Sequence, residues 1–267
     1  MIFSAENSNF SLKVKEMGAE LTSLVTKKTG IEYIWYGKEE IWYGQSPILF
    51  PIIGRLLDDK YTWDGIEYSM EKHGIVRKRP FNLLKKTEDT LEFGFNDDEE
   101  TWKSYPCNFD LTVEFKLTEN GLKVTHTVSN LTDDIMYFSF GAHPGFNCEI
   151  GDHLVFDEKE TLETVAIDTE CLRNGKTLPV LNDETTITIT KDIFNDDALI
   201  FTGIKSKCIT LESDNHNRKV KFDIGSCPYL GIWAKPGAPY VCIEPWWGVN
   251  DDHNKKDDFS QKDCIQS

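Results

Sequence analysis

The stretch Phe109-Asp110-Leu111-Thr112-Val113-Glu114-Phe115-Lys116-Leu117 alternates apolar and polar side chains without a break. Thr118-Glu119-Asn120-Gly121 follows, and a second run, Leu122 to Ser129, begins at once. A period of two puts one set of side chains on a core face and the other toward water, and a short Asn-Gly turn joins two such runs as a hairpin. Working outward, the same grammar recurs. Tyr61-Thr62-Trp63-Asp64-Gly65-Ile66-Glu67-Tyr68 is a second hairpin, with Asp-Gly between aromatic and β-branched residues. Strands are expected at Phe10–Lys15, Leu21–Lys27, Ile31–Trp35, Phe81–Lys86 and Thr90–Phe95. Further on they are expected at Ile135–Phe140, Leu154–Phe156, Thr185–Ile189, Ala198–Phe201, Cys208–Ser213, Val220–Ile224, Tyr229–Trp233 and Tyr240–Glu244.

Helix signals are few: Asp97 to Ser104, with acidic residues in its first turn, and a turn at Asp192 to Asp196. Strands never alternate with helices, which disfavours parallel α/β folds. The fold class is therefore all-β, a large antiparallel β-sandwich with few short helices. No linker, repeat or low-complexity segment divides the chain, so residues 1–267 read as one domain. The tail Asp251 to Asp258 is polar and expected at the surface.

Of the 267 residues, 39% are hydrophobic and 12% aromatic, enough for a sizeable core. The formal net charge of −16 disfavours nucleic acid and anionic membrane as partners. The first residues carry no basic and apolar leader pattern, and no apolar run approaches the roughly 18 residues a membrane helix needs. Seven scattered cysteines, an odd number without a C-x-x-C pair, argue against a disulfide framework or a cysteine zinc site, and fit a cytoplasmic protein.

Four segments could carry chemistry. Cys242-Ile243-Glu244-Pro245-Trp246-Trp247-Gly248 sets a carboxylate at a strand end before two indoles, with Pro245 expected to loosen the pairing. Such a carboxylate reads either as a solvated edge residue or as a desolvated acid–base group beside a sugar platform. Gly141-Ala142-His143-Pro144-Gly145-Phe146-Asn147 turns sharply after a histidine, as a site or as a structural turn. Lys72-His73-Gly74 places a histidine before a glycine that permits close backbone approach, ahead of the basic cluster Arg77-Lys78-Arg79. Gly54-Arg55 ends an apolar run with a planar fork of donors, for hydroxyls, an anion or buried carbonyls. His126, His153, His216 and His253 lie outside these segments. No metal-ligand spacing, nucleophile elbow, Walker loop or dinucleotide fingerprint is present.

In order and spacing these segments resemble the aldose 1-epimerase (galactose mutarotase) family, closest to its LacX-like branch. The resemblance spans nearly the whole chain. It runs from Gly18-Ala19-Glu20-Leu21-Thr22-Ser23-Leu24 through Pro47 to Leu56, the His73 and His143 segments and Asp197-Ala198-Leu199-Ile200-Phe201, to Ile243-Glu244-Pro245-Trp246-Trp247-Gly248. It implies a galactose mutarotase-like supersandwich that interconverts the α and β anomers of a hexose, without metal or cofactor. It implies Glu244 as general base and His143 as general acid. It implies His73, Arg55 and an aspartate as sugar ligands, the aspartate being Asp197 or its neighbour Asp196. Asn147, Arg77 and Trp246 join the substrate-binding candidates. The chain departs from better-known galactose mutarotases at Trp246 and Pro144-Gly145, positions beside the sugar, so the resemblance leaves the sugar open. Arg55, Arg77 and Arg79 together would suit a hexose 6-phosphate. The alternative is a non-catalytic carbohydrate-binding or sensing protein on the same fold. A small-molecule sugar is the expected partner, and a homodimer is compatible with the sequence.

Overall fold

The hairpin that opened the reading forms as expected. Phe109–Leu117 pairs antiparallel with Leu122–Asn130, and its inward residues are buried at every second position. Thr90–Asn96 and Asn82–Lys86 complete that sheet. In this computed structural model, which describes residues 1–254, 256–262 and 265, the chain is a large antiparallel β-sandwich. A three-stranded sheet combines Ile2–Glu6, Phe10–Lys15 and Glu20–Thr26. The central sheet runs in the order Leu199–Thr202, Tyr229–Trp233, Tyr240–Trp247, Phe140–Ala142, Ile48–Leu49, with Gly145–Asn147 also on Tyr240–Trp247. A fourth sheet holds Arg173–Thr188, His153–Ile167, Cys208–Glu212 and Val220–Asp223. The Asp64-Gly65 hairpin joins Lys60–Trp63 to Ile66–Ser69, with positive φ at both turn residues as its tight turn requires. One buried apolar cluster extends from Ala5 to Phe259 and touches every sheet.

Helix is confined to short pieces. Among the described residues Glu99–Trp102 is the one α-helical turn, started by Asp98, whose side chain accepts from the amides of Glu100 and Thr101.

Several expectations shift. Pairing does not loosen at Pro245: the strand continues to Trp247, and Pro245 stands opposite Leu230. A proline is tolerated there because the neighbour on the other side is interrupted between Phe140–Ala142 and Gly145–Asn147, so no ladder bond is asked of it. Ile31–Trp35 makes isolated bridges instead of a strand, and Ile135–Phe140 is regular only at its end. The segments expected at Leu154–Phe156 and Thr185–Ile189 belong to much longer strands, His153–Ile167 and Arg173–Thr188, whose register shifts repeatedly. The tail Asp251 to Asp258 is at the surface as expected over most of its length, with Lys256, Asp257 and Asp258 exposed and Asp252 half-buried, but its first residue is not. Asp251 is buried against the Lys262 ammonium at 2.6 Å, and the Phe259 ring lies 4.4 Å from that of Tyr61. His253 and Asn254 are exposed, and Lys255 lies outside the described residues.

Candidate active site

The interruption that admits Pro245 also builds the site. His143 and Pro144 span the gap beside Tyr240–Trp247, and the Pro144 carbonyl accepts from the amide of Ile243. The His143 ring is thereby set against Glu244, with Nε2 3.3 Å from Oε2. Strand alternation puts Tyr240, Cys242, Glu244 and Trp246 on one face. Glycines opposite two of them clear the space for the large ring. Gly231 pairs with Glu244 and Gly141 with Trp246, and a Cβ on either would meet the Trp246 indole at 2.6 or 2.7 Å.

Glu244 and His143 are almost wholly enclosed, 1% and 8% exposed. Burial drives both toward their neutral forms. The Glu244 carboxyl is pushed well above the usual carboxylate range by desolvation; the nearby Trp246 indole N–H and the Lys72 charge oppose that rise, and Asp197 adds to it. Neither Glu244 Oε2 nor Trp246 Nε1 closes a hydrogen bond. The His143 imidazole is pushed down to about 3, chiefly by desolvation, with Lys72 and Arg77 in the same direction. Its Nδ1 is buried without a partner.

His73 enters from a second loop, its ring 5.8 Å from that of His143 and perpendicular to it. The backbone there is strained: His73 has φ 67° and Gly74 φ 73°. The glycine is required, because a Cβ would lie 2.1 Å from the carbonyl oxygen of Phe50. That is the close approach expected from the sequence. The Gly54 amide donates to His73 Nδ1 at 3.1 Å, and the His73 amide donates to the Gly54 carbonyl at 2.7 Å. With Nδ1 accepting, the neutral ring carries its proton on Nε2. Burial holds His73 well below the usual histidine range, with His143, Lys72 and Arg77 adding to the effect.

The rim comes from the tip of the long hairpin. Cys171, at φ 62°, accepts from Lys72 Nζ at 3.2 Å and lies 3.9 Å from Asp197 Oδ2. Asp197 has φ 77° and accepts from the amide of Ala198, while Asp196 is exposed to solvent. Of the two aspartates, it is Asp197 whose charge reaches Glu244.

Other candidates are engaged elsewhere. Arg55 makes a two-pronged pair with Asp59 at 2.6 and 2.7 Å. Arg77 donates to the Lys72 carbonyl at 2.9 Å and so supports the His73 loop from behind. Arg79 pairs with Asp98, which separates it from the other two arginines. Asn147 is buried and donates to the carbonyls of Ile34 and Glu32 at 2.7 and 3.2 Å, a structural use of the side chain. Trp247 projects from the opposite face and is 38% exposed.

Two aromatic walls escaped the sequence reading. Trp42 lies 5.1 Å from His143 and stacks on Tyr240 at 5.1 Å, and Trp233 meets His143 edge-on at 5.7 Å. Gly145 leaves room for Trp42, whose ring a Cβ would approach to 2.9 Å. Trp42 sits in an irregular loop where no periodicity marks it. A surface cleft of about 690 Å³, lined by Trp63, Trp102 and Asp133 among others, shares none of these residues.

The arrangement offers a carboxyl and an imidazole able to exchange one proton, a second imidazole with a directed N–H, and aromatic walls that exclude water. A model of the aldose 1-epimerase family matches residues 1–252. Protein LacX (plasmid) of Lactococcus lactis subsp. lactis is 29% identical over 266 residues, covering 94% of this chain and 89% of that protein. The X-ray structure of a galactose mutarotase related enzyme from Lactobacillus acidophilus superposes with a TM-score of 0.94 at 30% identity, covering 100% of this chain and 92% of that one. A galactose mutarotase-like protein from Lactobacillus casei ATCC 334 gives the same TM-score and identity, with 100% and 94% covered.

Proposed function

This chain belongs to the aldose 1-epimerase family, and from that premise we propose that it is a mutarotase, interconverting the α and β anomers of a hexose by acid–base ring opening. The observation that carries the reading is the buried Glu244–His143 contact of 3.3 Å. Mutarotation needs one proton taken from the C1 hydroxyl and one given to the ring oxygen, with no redox step and no group transfer. Carboxylate with imidazolium and carboxylic acid with imidazole differ only by one proton moved across that contact. Burial favours the neutral form. A sugar brings hydroxyls that solvate charge, and the ionised form becomes accessible at the moment of reaction. Glu244 then removes the C1 proton, His143 protonates the ring oxygen, and the ring opens to the aldehyde. Rotation about C1–C2 and reclosure on the other face return both protons.

His73 donates from Nε2 to a sugar oxygen, Asp197 accepts from sugar hydroxyls, and Trp42, Trp233 and Trp246 line the apolar faces of the ring. Arg55 reaches the sugar only by exchanging part of its pairing with Asp59. The separate engagement of Arg55, Arg77 and Arg79 supports a neutral hexose over a 6-phosphate. A reducing, cytoplasmic setting fits the unpaired cysteines among the described residues.

NMR exchange spectroscopy on glucose, galactose and their 6-phosphates tests the proposal. Saturation transfer between anomers is expected for a neutral hexose, and Glu244→Gln is expected to lower the rate by roughly 10²–10⁴-fold with calorimetric sugar binding retained. Undiminished exchange in that variant would sink the mechanism. Binding without exchange on every sugar would favour the carbohydrate-sensing alternative.

A further inference from the structure

The face that carries Glu244 also carries a group with no part in proton transfer. Cys242 precedes Glu244 by two residues, so its thiol projects from the same side of the strand, and it is fully buried. One ligand atom each from His143, Cys242 and Glu244 lies within 4.8 Å of the other two. We propose that these three side chains form a binding site for a thiophilic divalent cation of the zinc class, and that its occupation arrests the enzyme.

The donor set specifies the cation. One nitrogen, one sulfur and one oxygen suit a borderline, tetrahedrally bound ion, whereas magnesium and calcium prefer oxygen cages. Charge balance agrees. A thiolate and a carboxylate, each having released its proton to solvent, neutralise a dication exactly once, so a dry pocket would hold no net charge. The pocket also has unused coordination capacity: Glu244 Oε2 is buried without a hydrogen-bond partner, 3.3 Å from His143 Nε2. Three protein ligands leave a fourth position open to water or to a sugar hydroxyl. The groups come from rigid places, two from one paired strand and one from the turn bound to it, so closing around an ion asks for small side-chain rotations only.

Because the ion would take the two groups assigned to proton transfer, it competes with turnover; this inhibitory arm rests on the proposed mutarotase activity. The binding arm does not. The full-length protein is titrated in chelator-treated buffer with Zn²⁺ by calorimetry, and with Co²⁺ and Cd²⁺ while ultraviolet thiolate-to-metal absorption is recorded. One equivalent is expected to bind with a thiolate band, and Mg²⁺ to produce none. Cys242→Ala is expected to lose the band, weaken Zn²⁺ by at least roughly tenfold, and keep the anomer exchange rate. Cys242→Ser, closer in size, serves if the alanine variant misfolds. A wild-type protein without the band overturns the site whatever the variants do. A band retained in folded Cys242→Ala, or Zn²⁺ binding that disappears with His253→Ala at the exposed Asp168–Glu170–His253 cluster, overturns it equally. A band present in a protein inactive on every sugar leaves the metal site standing and removes the mutarotase reading instead.

Discussion

Glu244 owes its proposed basicity to where it sits: a carboxyl on a central strand, enclosed by indole and imidazole, with one ammonium in electrostatic reach. That ammonium, Lys72, acts on Glu244, His143 and His73 in the same direction, favouring loss of a proton from each. Glu244 and His143 in contact titrate as a pair, and the form competent for mutarotation holds one proton between them. Activity therefore ends at low pH when a second proton joins the pair, and at high pH when the last one leaves. Burial of Glu244 sets that upper limit above the ordinary carboxylate range. Removing a positive charge makes both protons harder to lose. Lys72→Met is thus expected to move both limbs of the kcat/KM profile to higher pH, read by anomer exchange across a pH series. A profile that stays put would mean that the Lys72 charge is screened from the pair.

At the scale of elements, the site depends on glycines that give up volume to their neighbours. Gly231 lies under Trp246, and an added Cβ would stand 2.6 Å from the indole. Gly231→Ala is expected to tilt the ring off the sheet, open the pocket beside Glu244 and lower kcat at least about tenfold, with the melting temperature down by a few degrees. A crystal structure with the indole unmoved would contradict this. Elements with clean alternation and tight turns were legible in advance, because one face buried and one face wet is written directly into the residues. Phe109–Leu117 and Tyr229–Trp233 match their expected bounds to the residue. The hairpin His153–Ile167 with Arg173–Thr188 was read as two fragments, because register shifts move its side chains between faces and erase the period. His73, His143 and Glu244 were legible through the turn residues around them. Trp42 and Cys171 were not, since they reach the pocket only through tertiary packing of loops. Asn147 misled because a polar residue next to a site looks the same in sequence whether it faces a ligand or a carbonyl.

Across the whole molecule, the segment after the central strand is tied back beneath the site. Asp251 accepts from the amide of Leu57 at 3.1 Å as well as from Lys262 at 2.6 Å, and its own amide donates to the Arg55 carbonyl at 3.1 Å. One buried ion pair therefore joins the end of the described chain to the Arg55 loop. Lys262→Met leaves the Asp251 charge unbalanced and is expected to cost about 3–5 kcal/mol in urea unfolding. The double variant with Asp251→Asn should recover part of that loss. A Lys262→Met protein as stable as wild type would place this ammonium outside the stabilising contacts.

The position of Tyr240–Trp247 has a consequence for how the protein is made. Among the described residues it follows every other strand, yet it stands inside its sheet, between Tyr229–Trp233 and Phe140–Ala142. A nascent chain emerging from the ribosome therefore presents two unmated strand edges with a vacant lane between them, and these stay open until Tyr240–Trp247 is translated. Open edges are where chains join one another wrongly. Insertion of this strand closes the lane and delivers Glu244 to His143 in the same event, so no partly synthesised form holds the proton-transfer pair.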